Sequence, residues 1–452
     1  MRILTTTLVF CTLVCAKVAF AQPCFGNFTV STQALVNSLS TCTLITGDLL
    51  IIDNGTDPIT DLSPLAGLTS IGRDLYIQNT SLTDLSPLST LTNITRDIRI
   101  INNDLLANLG GLENLGMSSV RDLLIQENAI LTNFDALASG NLTSVTRNVN
   151  IRNNALMTSL GGLINIESIG GNFSIFGLPA LTTIGLPLLE YVGNSFTLQN
   201  NTTLSTLNFA SLAIVGNNMA IINNDALLNL DGFPVLIIIG NSLTIQNNEA
   251  LEDISALLFL ASINGNLFII NNNALPSLDG LQNIDMISGD LTITNNDVLS
   301  NCEAICTVIN NMSVGGVTTI SSNSGLCANI TIVDFVCVVL PIELTRFSAT
   351  PGRDNILLTW ETATELNNAG FEIQRSSNDG RDFAAIGWVT GAGTSQTAKT
   401  YSFMDRDVKP GINYAYRLMQ LDFDGASSVS PVVTASLKGE KFVIGAQYPN
   451  PV

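Results

Sequence analysis

A short apolar signature, L-x-I or a close variant, returns along this chain at a nearly fixed interval. It starts at Leu49 ("LLI"), Leu75, Ile98, Leu123, Val149, Phe173, Phe196, Met219, Leu243, Leu267 and Leu291, with a weaker "TTI" at Thr318. Successive starts lie 23 to 27 residues apart. A period of this size predicts a solenoid, because each unit is too small to bury its apolar face except against its neighbours. The alternation puts the two apolar side chains of each signature on one face of a short strand. Leucines near every third residue, as in "LSPLAGLTSI" (Leu62–Ile71), line the rest of each coil. Strands of successive coils are expected to pair in parallel, about 4.8 Å apart.

Asparagine follows most strands, often as a pair, as in "AIINNDALLNLDGF" (Ala220–Phe233). The inner position of the turn, three residues after the second apolar residue, is Asn in ten of twelve coils: Asn54, Asn103, Asn128, Asn154, Asn201, Asn224, Asn248, Asn272, Asn296 and Asn323. There the chain bends out of the strand and buries N–H and C=O groups that lack ladder partners. An inward amide offers donors and an acceptor to satisfy them. The first asparagine is expected on the turn itself, where Asn tolerates unusual φ. Asn54, Asn79 and Asn201 also fit the N-x-[ST] glycosylation pattern, but the ladder accounts for them without it. Coil 6, "FSIFGLPALTTI", has Gly177 and Leu178 in the asparagine places, which predicts a local distortion near Gly177–Pro179.

Charge narrows the function classes. Of 452 residues 12% are charged and the net charge is −19; residues 22–340 hold 25 acids against 6 bases. Nucleic-acid binding needs clustered Lys and Arg, so that partner is excluded. The chain has no histidine, which removes Ser-His-Asp and Cys-His catalysis and histidine-ligated metals. Between Arg152 and Arg346 there is no Lys, Arg or His at all.

Residues 1–21 end in Ala19-Phe20-Ala21 after an apolar run and read as a secretory signal; nothing else is long and apolar enough to span a bilayer. Six cysteines remain: Cys24, Cys42, Cys302, Cys306, Cys327 and Cys337. An even count in an exported chain predicts disulfides. The last four allow three pairings, and spacing does not choose among them. After Cys337 the asparagine period stops. Alternating strands separated by "PGRDN", "SNDGRD", "KPGIN" and "DFDGA" predict a β-sandwich with Trp360, Tyr414 and Tyr416 in its core.

The repeat resembles the leucine-rich-repeat family, and more closely the receptor L-domain-like repeats of bacterial surface proteins, over residues 47 to 337. "NCEAICTVINNMSVGGVTTISSNSGLCANITIVDFVC" looks like the cysteine-bearing C-terminal cap of those proteins. The segment from Pro341 resembles a fibronectin type III-like module of the kind found in Bacteroidetes-type surface proteins. "YPNP" near the end looks like the opening of a type IX secretion sorting domain. That family implies tens of further residues, so on this resemblance the chain is expected to be a fragment or to lack a working signal. The resemblance thus implies a mainly β chain: a right-handed leucine-rich-repeat-like solenoid of about 12 coils with disulfide-bearing caps, then a fibronectin type III-like sandwich. The expected layout is signal 1–21, N-terminal cap 22–46, solenoid 47–300, C-terminal cap 301–340, sandwich 341–438, and linker with truncated sorting domain 439–452.

Outward strand positions form the candidate binding face: Tyr76, Gln78, Arg99, Ile101, Gln126, Asn150, Arg152, Phe176, Gln199, Ile222, Gln246, Phe268 and Ile270. Arg73, Arg96, Arg121 and Arg147 each stand two residues before a strand, in four successive coils. Stacked, they could hold the acid groups of a polysaccharide. Asp74, Asp97 and Asp122 beside them are the better-favoured partners. Asp225, Asp231, Asp253, Asp279, Asp290 and Asp297 lack calcium-loop spacing, so no metal or other cofactor is expected. The sequence therefore points to an exported, non-catalytic binding or adhesion protein with a glycan or protein ligand. It would use the type IX machinery if a full sorting domain exists, and would be secreted or displayed at the outer-membrane surface, or periplasmic without that domain. A carbohydrate-active enzyme on a parallel solenoid is the alternative, although the acids scatter over changing coil positions. A purely structural surface-layer component is the third reading.

Overall fold

The computed structural model describes residues 22–337 and 344–437, apart from 364, 378, 379, 396 and 424–426. The expected signal, the "YPNP" tail and the expected sandwich start at Pro341 lie outside these residues. Two compact units divide between Cys337 and Val338.

In the first unit all twelve L-x-I signatures become strands of one parallel sheet, led by a thirteenth strand, Phe28–Val30. The sheet runs through Leu49–Ile52, Leu75–Gln78, Ile98–Ile101, Leu123–Gln126, Val149–Arg152 and Phe173–Phe176. It continues through Phe196–Gln199, Met219–Ile222, Leu243–Gln246, Leu267–Ile270, Leu291–Thr294 and Thr318–Ser321. We number coils 1 to 12 from Leu49. Pairing is in register throughout, so the first and third side chains of each strand stack inward, coil upon coil. Opposite lie two sheets of short strands, one from Gln22–Cys24 to Asn93–Ile94 and one from Ser119–Val120 to Met286–Ile287. One continuous apolar core fills the space between. At coils 6 to 8 it includes Phe173, Phe196, Phe209 and Phe233, with centroids 5.1 to 6.0 Å apart. At the corner after the short strands the coils come close enough that Gly193, Gly216 and Gly240 admit no side chain. A Cβ on Gly216 would run into the carbonyl of Gly193.

The asparagines form a buried ladder. Asn248 Nδ2 donates to the carbonyl of Ile221 one coil back (3.0 Å) and to Asn272 Oδ1 one coil on (3.1 Å). Its own Oδ1 accepts the backbone N–H of Asn224 at 3.1 Å. The same scheme links Asn103 to Asn128 to Asn154, and Asn201 through Asn224, Asn272 and Asn296 to Asn323. The first asparagines are on the turn, with left-handed φ at Asn79, Asn102, Asn153, Asn200, Asn223, Asn247, Asn271 and Asn295. They build a separate outer ladder, for example Asn247 Nδ2 to Asn223 Oδ1 at 2.8 Å.

Two expectations fail. Asn54 is exposed and bonds to Thr56 and Ser31; the inward group in coil 1 is Asp53, which accepts the N–H of Gly55 and of Ile59. The turn of coil 1 is one residue out of step, and the side chain that reaches the bend takes the ladder's work. Coil 6 is not distorted either. Its strand pairs in register on both sides. Gly177 adopts the left-handed φ (+65°) of the first asparagine. Leu178 is fully buried, and its N–H still bonds Asn201 Oδ1 at 3.1 Å. Only the side-chain link from Asn154 onward is missing, since leucine offers no acceptor.

Disulfides join Cys24 to Cys42, Cys302 to Cys327 and Cys306 to Cys337, which selects one of the three pairings left open. The expected C-terminal cap also contains the last strand of the long sheet, Thr318–Ser321. The second unit has two antiparallel sheets, one of Leu344–Pro351, Ile356–Thr362 and Lys399–Asp405, the other of five strands around Glu365–Ser376 and Asn413–Asp422. Trp360, Phe371, Tyr414 and Tyr416 are buried in its separate core.

The ladder makes a quantitative prediction. Asn248→Ala orphans the buried N–H of Asn224 and carbonyl of Ile221, each worth about 1–3 kcal/mol. Its urea midpoint should fall by the equivalent of about 2–6 kcal/mol. Asn54→Ala should cost under about 1 kcal/mol, because its bonds are at the surface.

Candidate functional site

Because the side chains of a strand alternate, the outward face of the long sheet carries two side-chain columns. One runs Leu50, Tyr76, Arg99, Leu124, Asn150, Ser174, Thr197, Ala220, Thr244, Phe268, Thr292 and Thr319. The other includes Gln78, Ile101, Gln126, Arg152, Phe176, Gln199, Ile222, Gln246 and Ile270. Most of these are half-buried rather than exposed, since neighbours one coil apart cover each other. Ile101 is buried, and Arg152 and Thr319 are exposed. Tyr76 is tied down by its hydroxyl to Gln78; burial pushes its phenol pKa up against the pull of Arg99.

The four stacked arginines do not form a free positive stripe. Each reaches the aspartate of the preceding coil: Arg73 to Asp48 (3.4 Å), Arg96 to Asp74 (3.5 Å), Arg121 to Asp97 (2.6 Å) and Arg147 to Asp122 (3.5 Å). Asp48, Asp74 and Asp122 have a second task that sequence reading missed. They begin another ladder, just before the strands, in which a side-chain oxygen accepts the backbone N–H of the next coil. Asp74 Oδ1 takes the N–H of Asp97, Asp122 Oδ1 that of Asn148, and Asn148 Oδ1 that of Asn172. Farther along, Asp290 accepts the N–H of Val317. Asp97 is fully buried and binds two arginines, Arg121 through both oxygens and Arg99 at 2.7 Å. Burial pushes its carboxyl up, but the hydrogen bonds from Arg121 and Arg99 and their charges outweigh that and hold it below the usual carboxylate range.

Arg152 differs from the other five solenoid arginines. Among the described residues it has no carboxylate within ion-pair distance; its Nε donates to Gln126 at 2.7 Å, and Gln126 in turn donates to Glu127. It stands beside Phe176, its register partner. Next to this pair the face sinks. In the first column the long Tyr76 and Arg99 give way to Leu124, Asn150 and Ser174. The step leaves an open depression of about 380 Å³, lined among others by Arg99, Leu124, Asn148, Asn150, Asn172 and Ser174. The Oδ1 of Asn150 is buried there without a hydrogen-bond partner. Phe268 lies four strands beyond Phe176, about 19 Å away at the usual strand spacing.

Among its described residues the second unit has two buried polar clusters: Asp405 accepts from Arg375 and from the Tyr416 hydroxyl, and Glu365 anchors the other. Glu365 accepts from Thr362, Asn368, the N–H of Ala392 and the hydroxyl of Tyr401, at 2.6 to 2.9 Å. Burial pushes its carboxyl up, and these four donors more than reverse the effect. A carboxylate so saturated has no lone pair left for chemistry. Among the described residues no three of His, Cys, Asp and Glu converge as metal ligands. Asp253 and Asp290, two of the loop aspartates that lack calcium-loop spacing, accept backbone N–H groups.

The chain matches no protein-family model, and a search among curated proteins finds none similar to it.

The ion pairs predict a graded response. Arg121→Ala leaves buried Asp97 with Arg99 alone and should cost about 1–3 kcal/mol at neutral pH. Arg147→Ala, at a side chain 57% exposed, should cost under about 0.5 kcal/mol. Since the folded carboxyl titrates below its ordinary value of 3.8, the Arg121 contribution is full above that pH and is lost as pH falls through the lower folded value. Thermal melts of both variants across this range check it.

Proposed function

We propose that this is an exported, non-catalytic binding or adhesion protein whose long solenoid sheet presents a ligand-binding face and whose second unit is a fibronectin type III-like spacer. The observation that carries this reading is the face itself. Along twelve coils it stays half-exposed, mixing amides, hydroxyls, two phenylalanines and one arginine without a carboxylate partner. A surface of that composition suits an extended ligand, because each coil adds a similar, weak set of contacts. The resemblance to receptor L-domain-like surface proteins supports display at the cell surface or secretion, and the three disulfides fit an oxidising compartment. Fold alone names no ligand, so glycan and protein both enter the test.

The test is an array screen of the purified chain against glycans and extracellular proteins. The expected hit loses at least tenfold in affinity in the Phe176→Asp/Phe268→Asp variant while the melting temperature stays unchanged. Undiminished binding by that variant would place the ligand elsewhere. Release of reducing sugar or unsaturated product from a polysaccharide would overturn the non-catalytic reading.

A further inference from the structure

We infer that the depression over coils 3 to 6 is a subsite for the acid-bearing unit of a polysaccharide, with Arg152 taking its carboxylate or sulfate and Asn150 a sugar hydroxyl. This rests on the binding-face reading and narrows it to a ligand class and a place.

The chemistry follows from what the site leaves unsatisfied. The pre-strand groups Asp122, Asn148 and Asn172 are committed to one another and to backbone N–H groups. Asn150 is not, and an unpaired buried amide oxygen is costly to leave so. A hydroxyl both donates and accepts, so it satisfies this amide whichever way the amide is turned. Arg152 uses Nε on Gln126 and keeps both terminal nitrogens of its fork for an anion. Arg99 gives one terminal nitrogen to Asp97 at 2.7 Å and borders the depression from the other end. Leu124 in the lining, and Phe176 beside Arg152 outside it, offer apolar surface against which the C–H face of a sugar ring can lie. Asn150 and Arg152 are two residues apart on one strand and so point to the same side, about 7 Å apart at their backbones.

An acidic peptide brings the same anion but fits less well. A peptide gains most of its affinity from a free strand edge or from deep side-chain pockets. Here the strand Val149–Arg152 is paired on both sides, and the depression is shallow and open. An open trough instead lets a polymer enter and leave along its length.

The test uses the full chain and calorimetric titration with four probes: an oligogalacturonate, its methyl ester, a sulfated galactan oligomer and oligoglutamate. The methyl ester keeps the hydroxyls and removes the charge. The expected result is binding of one or both acidic sugars at least tenfold more tightly than of the ester. Arg152→Gln should erase that preference without changing the melting temperature. Ser174→Phe, which copies the residue found at the equivalent place in coil 10, should fill the trough and abolish binding of both sugar forms. Preference for oligoglutamate overturns the inference in favour of a peptide. So do equal affinities for acid and ester, or acid binding that Arg152→Gln leaves intact. If none of the four probes binds but an array ligand is lost in Phe176→Asp/Phe268→Asp, the face still binds and this subsite assignment fails. If neither occurs, both readings fail together.

Discussion

A solenoid coil must turn sharply while its backbone is buried, and every such turn strands N–H and C=O groups away from water. In most coils of this protein one amide settles that debt, and it does so across coils. Within each run of the ladder an inner asparagine bonds a carbonyl behind it and an amide ahead, so that Ile221, Asn224, Asn248 and Asn272 form parts of one hydrogen-bonded line. The ladder therefore locks spacing and register together. A one-residue slip would turn the inward leucines outward and also break a bond in each neighbouring coil. The in-register sheet face is a consequence of this.

The places where the pattern breaks show which property matters. Coil 1 replaces asparagine with Asp53, and coil 2 with Thr80, whose N–H and hydroxyl both turn to Asn103. Coil 6 gives up the amide altogether. It keeps its shape because Gly177 accepts the left-handed turn and Leu178 exchanges a polar contact for full burial. What the fold requires at this position is a group that can be buried at no net loss. Asparagine is the common answer, and leucine is a sufficient one where the preceding coil can leave its own amide bonded to carbonyls alone, as Asn154 does to Ile125 and Arg152.

The same economy governs the charges. A solenoid with six bases and 25 acids in residues 22–340 has few cations to deploy. Five of its arginines stand against aspartates: Asp48, Asp74 and Asp122 already serve as backbone acceptors, while buried Asp97 is held by Arg99 and Arg121 together, so these pairs order the coils rather than recruit an anion. The sixth, Arg152, is held by an amide instead. It stands on the outward face, where a neutral partner fixes its direction without cancelling its charge.

The period, the strand positions, the inward leucines and the role of most asparagines were legible in sequence, because each depends on spacing within one coil or on a residue type repeated at one place. That aspartates would meet the arginine stripe was legible too, but not that each arginine reaches back to the aspartate of the preceding coil, which only stacking decides. The outward column of side chains could be written down in advance, but the depression in it could not. Its walls are residues 23 to 26 positions apart, and its depth comes from the difference in length between Arg99 and Ser174 once register has placed them in one line. The same holds for the orphaned oxygen of Asn150, for the pairing of Cys302 with Cys327, and for the exclusion of Asn54 from the ladder. Residue type and period determined that this chain coils and what faces inward. Which polar atoms were left unpaired was decided only when the coils stacked, because satisfaction of a hydrogen bond belongs to a pair of atoms and not to either residue alone.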